Sequence, residues 1–404
     1  MNQDASRSSP AILPLQGIRV LELGQLLAGP FCGTILGYFG AEVIKVEPPS
    51  GDPIRTWRVM KDDTSLWWRS LARNKKCITV DLKNPQGQAL VKKLATDCDV
   101  VIENFRPGTV EKWGLGPKEL RAINPGLVYA RISGYGQTGP YASRPGFASV
   151  CEGFSGFRYI NGFPGKAPVR PNLSMGDSLA GLHAALGVLL AIIGRKKSGV
   201  GDVVDASLFE SIFNLMEAVI PEYDGAGVVR EPSGSTLTGI VPSNTYPCRD
   251  GKYIIIGGNG DSIFKRLMEA IGRTDLGADP RLAGNDGRVE HQGLIDAALA
   301  AWTTAMDSAE ALVILEAARV PSGPIYSVRE MMTDPQFIAR GLFEQVEING
   351  EPLKIPAIAP RLEQQAGTTR WPGPDLGEHT HEVLMTLLGL DDADIERLAN
   401  DGVI

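Results

Sequence analysis

Ile18-Arg-Val-Leu-Glu-Leu23, then Gly24-Gln-Leu-Leu-Ala-Gly-Pro30, then Phe31 to Phe39, then Glu42-Val-Ile-Lys-Val-Glu47 read in order as strand, turn, helix and strand. Two short apolar runs flank a turn with two glycines and a segment of helical length, which is a βαβ unit. The alternation continues. Ile78 to Leu82 predicts a strand. Asn84-Pro85 offers an N-cap followed by Pro at the first helical position, opening a helix towards Thr96. Val100 to Asn104 predicts a strand, Pro117 to Ile123 a helix, Leu127 to Ile132 a strand, and Gly201 to Met216 a strand passing into a helix. Such alternation predicts an α/β fold with a mostly parallel sheet covered on both faces. The turn Gly24 to Pro30 matches neither GxGxxG nor a Walker pattern, so nothing in it calls for a dinucleotide. It does place loop residues at the carboxyl end of the first strand, where open α/β sheets bind ligands.

The chain has 404 residues, enough for about two domains. Residues 221–251 are rich in Gly, Pro, Ser and Thr and read as a linker and mobile loop. Beyond them, strand Tyr253 to Ile256, turn Gly257 to Gly260 and helices from Asp261, Gln292 and Ala309 predict a smaller α+β domain. The expected division is 1–220, 221–251, 252–340 and a C-terminal return at 341–404. A net charge of -7 gives no general basic footprint for nucleic acid. The most apolar segment, Leu179 to Ile193, is too short to span a bilayer and reads as a buried core helix. Met1 to Pro10 lacks the apolar region of a signal peptide and reads as a lead-in. Cys32, Cys77, Cys98, Cys151 and Cys248 are scattered without a CxxC, which fits free thiols in a reducing, cytoplasmic setting. His379-x-His381 lacks further ligands, so no metal is expected.

In Pro171 to Gly194 a turn-like run ends in Gly176-Asp177-Ser178 ahead of an apolar segment at helical spacing: Leu179, Leu182, Leu186, Leu189, Leu190 and Ile193. Asp177 or Ser178 is a good N-cap, and the helix start favours an ionised carboxylate.

Several segments stand in a telling order: Gly17 to Leu23 with Ala28-Gly-Pro30, Gly40 to Glu47, Asn74-Lys75, Val101-Ile-Glu-Asn-Phe-Arg-Pro-Gly108, Ile132-Ser-Gly-Tyr-Gly-Gln-Thr-Gly-Pro140, Gly176-Asp177-Ser178 and Leu376-Gly-Glu-His-Thr380. Together they resemble the family III coenzyme A transferases, nearly end to end. The resemblance implies a large Rossmann-like domain with a parallel sheet plus a smaller α+β domain, in an interlocked homodimer. It implies CoA transfer from an acyl-CoA thioester to a carboxylic acid through a covalent intermediate on Asp177, with CoA thioesters as substrates and no permanently bound cofactor. No nucleic acid or membrane partner is implied. The CoA-binding positions carried over are Leu27 and Ala28; Ala72, Arg73, Asn74 and Lys75; Asn104, Phe105 and Arg106; Lys112; and Ser133, Gly134, Tyr135 and Gly136. Pro48 replaces an arginine found in some relatives, and Arg55 and Arg58 are the residues placed to compensate. The same fold hosts α-methylacyl-CoA racemases, which need a histidine where Phe147 stands; a phenylalanine moves no proton. A CoA-binding protein without catalysis is the other alternative. The overall pattern is closest to users of succinyl-CoA and small dicarboxylic acids, with Arg170 the first candidate for a carboxylate clamp and Arg73 the second. Gly234 to Gly239, or Gly257 to Gly260, is expected to shield the reactive intermediate from water.

Overall fold

Four residues, Arg19–Glu22, form β1, the pivot of a six-stranded sheet. The other strands are β2 (Glu42–Glu47), β3 (Lys75–Thr79), β4 (Val100–Glu103), β5 (Val128–Ser133) and β6 (Val203–Ser207). The computed structural model describes residues 12–404; the lead-in Met1 to Pro10 lies outside them. The spatial order is β3-β2-β1-β4-β5-β6, and every neighbour pair is parallel. That is the doubly wound order, in which the direction of winding reverses between β1 and β4 and leaves a crevice at the carboxyl ends.

Side chains alternate between two buried faces, as the period of a strand requires. Val20, Val43, Val100 and Val128 face α1 (Ala28–Tyr38) and a long helix further on, while Leu21, Ile44, Val101 and Tyr129 face α2 (Pro85–Thr96) and α3 (Pro117–Ile123). Asn84 caps α2 by accepting from Gln86 N, with Pro85 at the first helical position. α4 (Ala148–Phe154) precedes the long helix, α5 (Met175–Ser198), and α6 (Leu208–Phe213) follows β6.

α5 corrects two expectations. It has 24 residues, long and apolar enough by length and composition to cross a membrane. In this fold it packs on α1, β5 and β6. Apart from Ile192, the residues it buries are small: Gly176, Ala180, Gly181, Ala184, Ala185 and Val188. Leu182, Leu186, Leu190 and Ile193 are 48–60% exposed. The reason is the close crossing with α1: a Cβ on Gly181 would lie 2.7 Å from the Ala28 carbonyl oxygen. Large leucines cannot enter such a contact, so they face outward.

The chain divides into two compact units, the first comprising residues up to Phe157, Pro171–Met216 and Ile338–Ile404, the second Arg158–Arg170 and Glu217–Phe337. The second unit has a three-stranded antiparallel sheet in the order β9-β8-β7, from β7 (Ser243–Pro247), β8 (Tyr253–Gly257) and β9 (Ser322–Pro324). α7 (Asp261–Ala270), α8 (Gln292–Thr303) and α9 (Ser308–Ala317) cover it around Tyr246, Ile254, Ile256, Phe264, Leu267, Leu299 and Leu315. β7 lies inside the stretch read as linker. Residues 158–170 also belong to this unit, a crossing that composition did not signal. In the first unit the C-terminal return forms the hairpin β10 (Phe343–Ile348) and β11 (Glu351–Pro356), then α10 (Thr380–Leu388) and α11 (Asp392–Asn400).

Candidate active site

Loops at the carboxyl ends of β1, β4 and β5 and the starts of α5 and α6 enclose a cleft of about 180 Å3. Gln25, Leu26, Leu27 and Ala28 follow β1; Asn104 and Phe105 follow β4; Ile132, Ser133 and Gly134 close β5; Gly146 and Phe147 precede α4; Asp177 and Leu208 complete the wall. This is the switch-point crevice, so the fold and the site agree. Leu27, Ala28, Asn104, Phe105, Ser133, Gly134 and Asp177, scattered over 150 positions, come together here.

Asp177 is the third residue of α5, not its N-cap. Ser174 occupies the cap without a side-chain bond. Asp177 still lies in the first turn, where the helix dipole favours a carboxylate. Its charge is felt next door. Burial first, then the Asp177 and Glu152 carboxylates, push the Cys151 thiol up to about 11. Cys151 Sγ contacts the Gly134 carbonyl oxygen at 3.3 Å, so this thiol is a neutral group buried beneath the wall residue Gly134. Glu152 is buried, with Oε1 3.5 Å from Gly176 N. Ser133 is 7% exposed, and its buried hydroxyl finds no hydrogen-bond partner among the described residues. A buried polar group left so is costly unless a ligand or water completes it.

The turn after β1 is held rigidly. The Asn104 side chain accepts from Gln25 N at 2.8 Å and donates to Gln25 O at 2.8 Å. A Cβ on Gly24 would sit 2.8 Å from Asn104 Oδ1, so only glycine leaves room for this amide. Leu26 adopts the left-handed conformation at φ 64°. Its N–H donates to both oxygens of Asp52, at 3.0 and 3.2 Å.

Other expected site residues lie elsewhere. Lys75 is fully buried in β3; its Nζ donates to both Glu22 oxygens, at 3.0 and 2.8 Å, and to the Pro30 carbonyl. The expected strand began at Ile78 because two lysines open the real one. Asn74 is tied to the Gly37 and Thr368 carbonyls and to Arg370 N. Arg73 donates to the Ser70 and Pro356 carbonyls and pairs with Glu344 at 3.6 Å. Ala72 packs beside Trp68 and Cys77. Arg73 and Asn74 anchor the C-terminal return, and none of the four lines the cleft. Arg69 likewise holds the Gly373 carbonyl and Asp375. Arg55 is spent on a two-pronged pair with Glu47 and stacks 3.7 Å from the Trp68 ring, so it replaces no missing adenine contact. Arg58 is exposed, over the Trp67 ring. Arg106 and Lys112 are exposed and outside the cleft wall. Tyr135 joins an aromatic cluster with Tyr141, Phe154 and Phe209, and Gly136 takes φ 85°.

Arg170, Gly234 and Gly239 belong to the second unit. There the two glycine-rich loops are bolted to one helical turn, Asn285–Glu290. Buried Arg288 donates to the Val241 and Asn259 carbonyls, and Asn285 to the Gly239 carbonyl. Among the described residues no cluster of three or more His, Cys, Asp or Glu could hold a metal ion. His379 accepts from Cys77 N and His381 bonds Asp392.

The model of CoA-transferase family III matches residues 15–380. The chain belongs to CoA-transferase family III, and it is a CoA-transferase. It is 50% identical over 395 residues to a succinyl-CoA–D-citramalate CoA-transferase of Chloroflexus aurantiacus, covering 97% of this chain and 98% of that one. It is 36% identical over 384 residues to a succinate–glutarate CoA-transferase of Agrobacterium fabrum, covering 93% and 96%. Among solved structures, a CAIB/BAIF family protein from Brucella suis superposes with a TM-score of 0.82 at 34% identity, covering 93% of this chain and 99% of that one.

Proposed function

We propose that this CoA-transferase moves CoA from succinyl-CoA to a small dicarboxylic acid, with Asp177 as the covalent nucleophile. The observation that carries the reading is the position of Asp177: first turn of α5, in the wall of the switch-point cleft. The Asp177 carboxylate attacks the thioester carbonyl and expels CoA thiolate, giving an acyl–aspartyl anhydride. The thiolate attacks the aspartyl carbonyl, releasing succinate and leaving an aspartyl–CoA thioester. The acceptor carboxylate attacks that thioester and expels the thiolate again, giving a second anhydride. Attack of the thiolate on the acceptor's carbonyl yields the new acyl-CoA and restores the aspartate. An already ionised carboxylate needs no general base. Leu27, Ala28, Asn104, Phe105, Ser133 and Gly134 are the residues proposed to line the bound thioester.

Phe147 in the same wall argues against proton-transfer chemistry, since its ring carries no titratable group. The dicarboxylate class draws support from relatives whose names give succinyl-CoA with D-citramalate, L-malate or glutarate. We propose a homodimer in which a second copy covers the exposed stripe Leu182, Leu186, Leu190 and Ile193. Relatives named as alpha and beta subunits support assembly of like chains, and sedimentation velocity reads the state directly. The substrate reading is tested by specificity constants for succinyl-CoA and butyryl-CoA. The expected ratio is roughly ten to a hundred, the worth of one charge-assisted hydrogen bond to the terminal carboxylate. A ratio near one removes the dicarboxylate class.

A further inference from the structure

Behind the cleft lies a second cluster of charges that the reaction does not touch. Glu22, Lys45 and Asp52 are at most 2% exposed. Lys45 Nζ is 2.8 Å from Asp52 Oδ2 and 3.2 Å from Glu22 Oε1, and donates to the Gly24 carbonyl at 2.8 Å. Burial opposes the charge on Lys45, but Asp52, Glu22 and Glu47 more than offset it and hold the ammonium protonated. Asp52 is fixed in turn by its own N–H to Glu47 and by accepting from Ile54 N. Its remaining acceptor capacity goes to Leu26 N.

That last bond has a purpose beyond stability. Leu26 sits at φ 64°, a region a bulky side chain enters rarely and at a cost. Such a conformation persists only where the surroundings over-determine it. Here the Gly24 carbonyl is held by Lys45, both polar groups of Gln25 by Asn104, and the Leu26 N–H by Asp52. Three consecutive residues are pinned by side chains from three separate stretches of the chain: β2, the loop after β4 and the loop after β2. The next two, Leu27 and Ala28, begin α1 with no side-chain cap and face the cleft. We propose that Asp52, oriented by Lys45, is a positioning residue for catalysis: it holds Leu26 in its left-handed conformation and so aims Leu27 and Ala28 at the substrate. The inference rests on the reading of this cleft as the transfer site.

The test is a cycle of variants assayed for kcat, KM of the acyl-CoA and Tm. Asp52→Leu keeps approximate size but offers no acceptor, and should lower kcat/KM about a hundredfold, the scale of a misplacement of about 1 Å. Asp52→Asn keeps an oxygen for Leu26 N–H and should stay within about tenfold of wild type, although Lys45 loses one of its counter-charges and Tm falls. Adding Leu26→Gly to Asp52→Leu should recover roughly tenfold, because glycine holds a positive φ without penalty, while Tm does not rise. A merely structural role gives no such rescue and makes activity track Tm. If Asp52→Leu does not fold, Leu26→Val takes its place. A β-branched residue resists this φ, so kcat/KM should drop about tenfold with the network intact. Folded Asp52→Leu with wild-type kcat/KM, no rescue by Leu26→Gly, or an unaffected Leu26→Val each overturns the proposal. Asp177→Ala is run beside them: if it keeps full turnover, the reading of the cleft itself fails; if it is dead while the Asp52 series is unaffected, only the positioning role fails.

Discussion

Two groups of polar side chains sit within one sheet's reach of each other and behave oppositely. In the Glu22, Lys45, Asp52 and Lys75 cluster, charges buried behind β1 are met by opposite charges or backbone groups. In the cleft in front of β1, the buried Ser133 hydroxyl has no hydrogen-bond partner among the described residues. Burial alone does not mark a binding residue. A buried polar group that the protein satisfies is scaffold, while an open one in a cleft wall, such as the Ser133 hydroxyl, is placed to meet a ligand.

The sharpest way to break this contrast is at Asp177. Asp177→Ala should reduce CoA exchange by roughly four orders of magnitude, as loss of a covalent nucleophile does, with little change in Tm. Exchange followed by separation of the thioesters reads it. Next is Lys75, read by resemblance as a CoA contact and found paired with Glu22. Lys75→Met removes one partner of a fully buried pair and should cost about 3–5 kcal/mol of stability. The KM for the CoA donor should barely move. A raised KM with unchanged stability would return Lys75 to the binding site. Ser133→Ala should show the mirror image. Deleting a buried hydroxyl that has no partner among the described residues is close to neutral for folding, while the KM for the acyl-CoA rises about tenfold if a ligand atom completes it. The smallest effect concerns the thiols. All five cysteines are buried, and burial raises each of them, Cys98 up to about 12 and Cys151 up to about 11. A raised thiol pKa leaves the protonated, unreactive form dominant through neutral pH. Iodoacetamide at pH 8 should therefore leave exchange within about twofold of the untreated enzyme. Rapid inactivation, tracking one alkylated cysteine, would put a reactive thiol in the wall.

The sheet was legible because its strands are short apolar runs between helical periods, and Glu42–Glu47 and Pro117–Ile123 match the expected bounds. The edge strand slipped by three residues because Lys75-Lys76 opens it, and charge disguises a buried strand. A signal was present: Glu22 within Leu21-Glu22-Leu23 and Lys45 within Ile44-Lys45-Val46 are charges embedded in buried strands, which must be paired. α5 misled for a different reason. Helical spacing picked out its leucines, but close helix contact selects small residues, and nothing in the pattern of a single helix says which stripe its neighbour will need. Of the cleft, Asp177, Asn104, Phe105 and Ser133 were reached through resemblance to a family. The φ of Leu26 and the orphan hydroxyl of Ser133 are tertiary facts without a local signature.

The central claim is that Asp177 becomes covalently attached to CoA. The direct measurement is mass spectrometry of the protein incubated with succinyl-CoA and no acceptor, followed by digestion at mildly acidic pH and peptide mapping. The account predicts a CoA thioester on the peptide carrying Asp177, lost when an acceptor acid is added and never formed by Asp177→Ala. A CoA thioester on another carboxylate such as Glu152, or full exchange activity in folded Asp177→Ala, would contradict it.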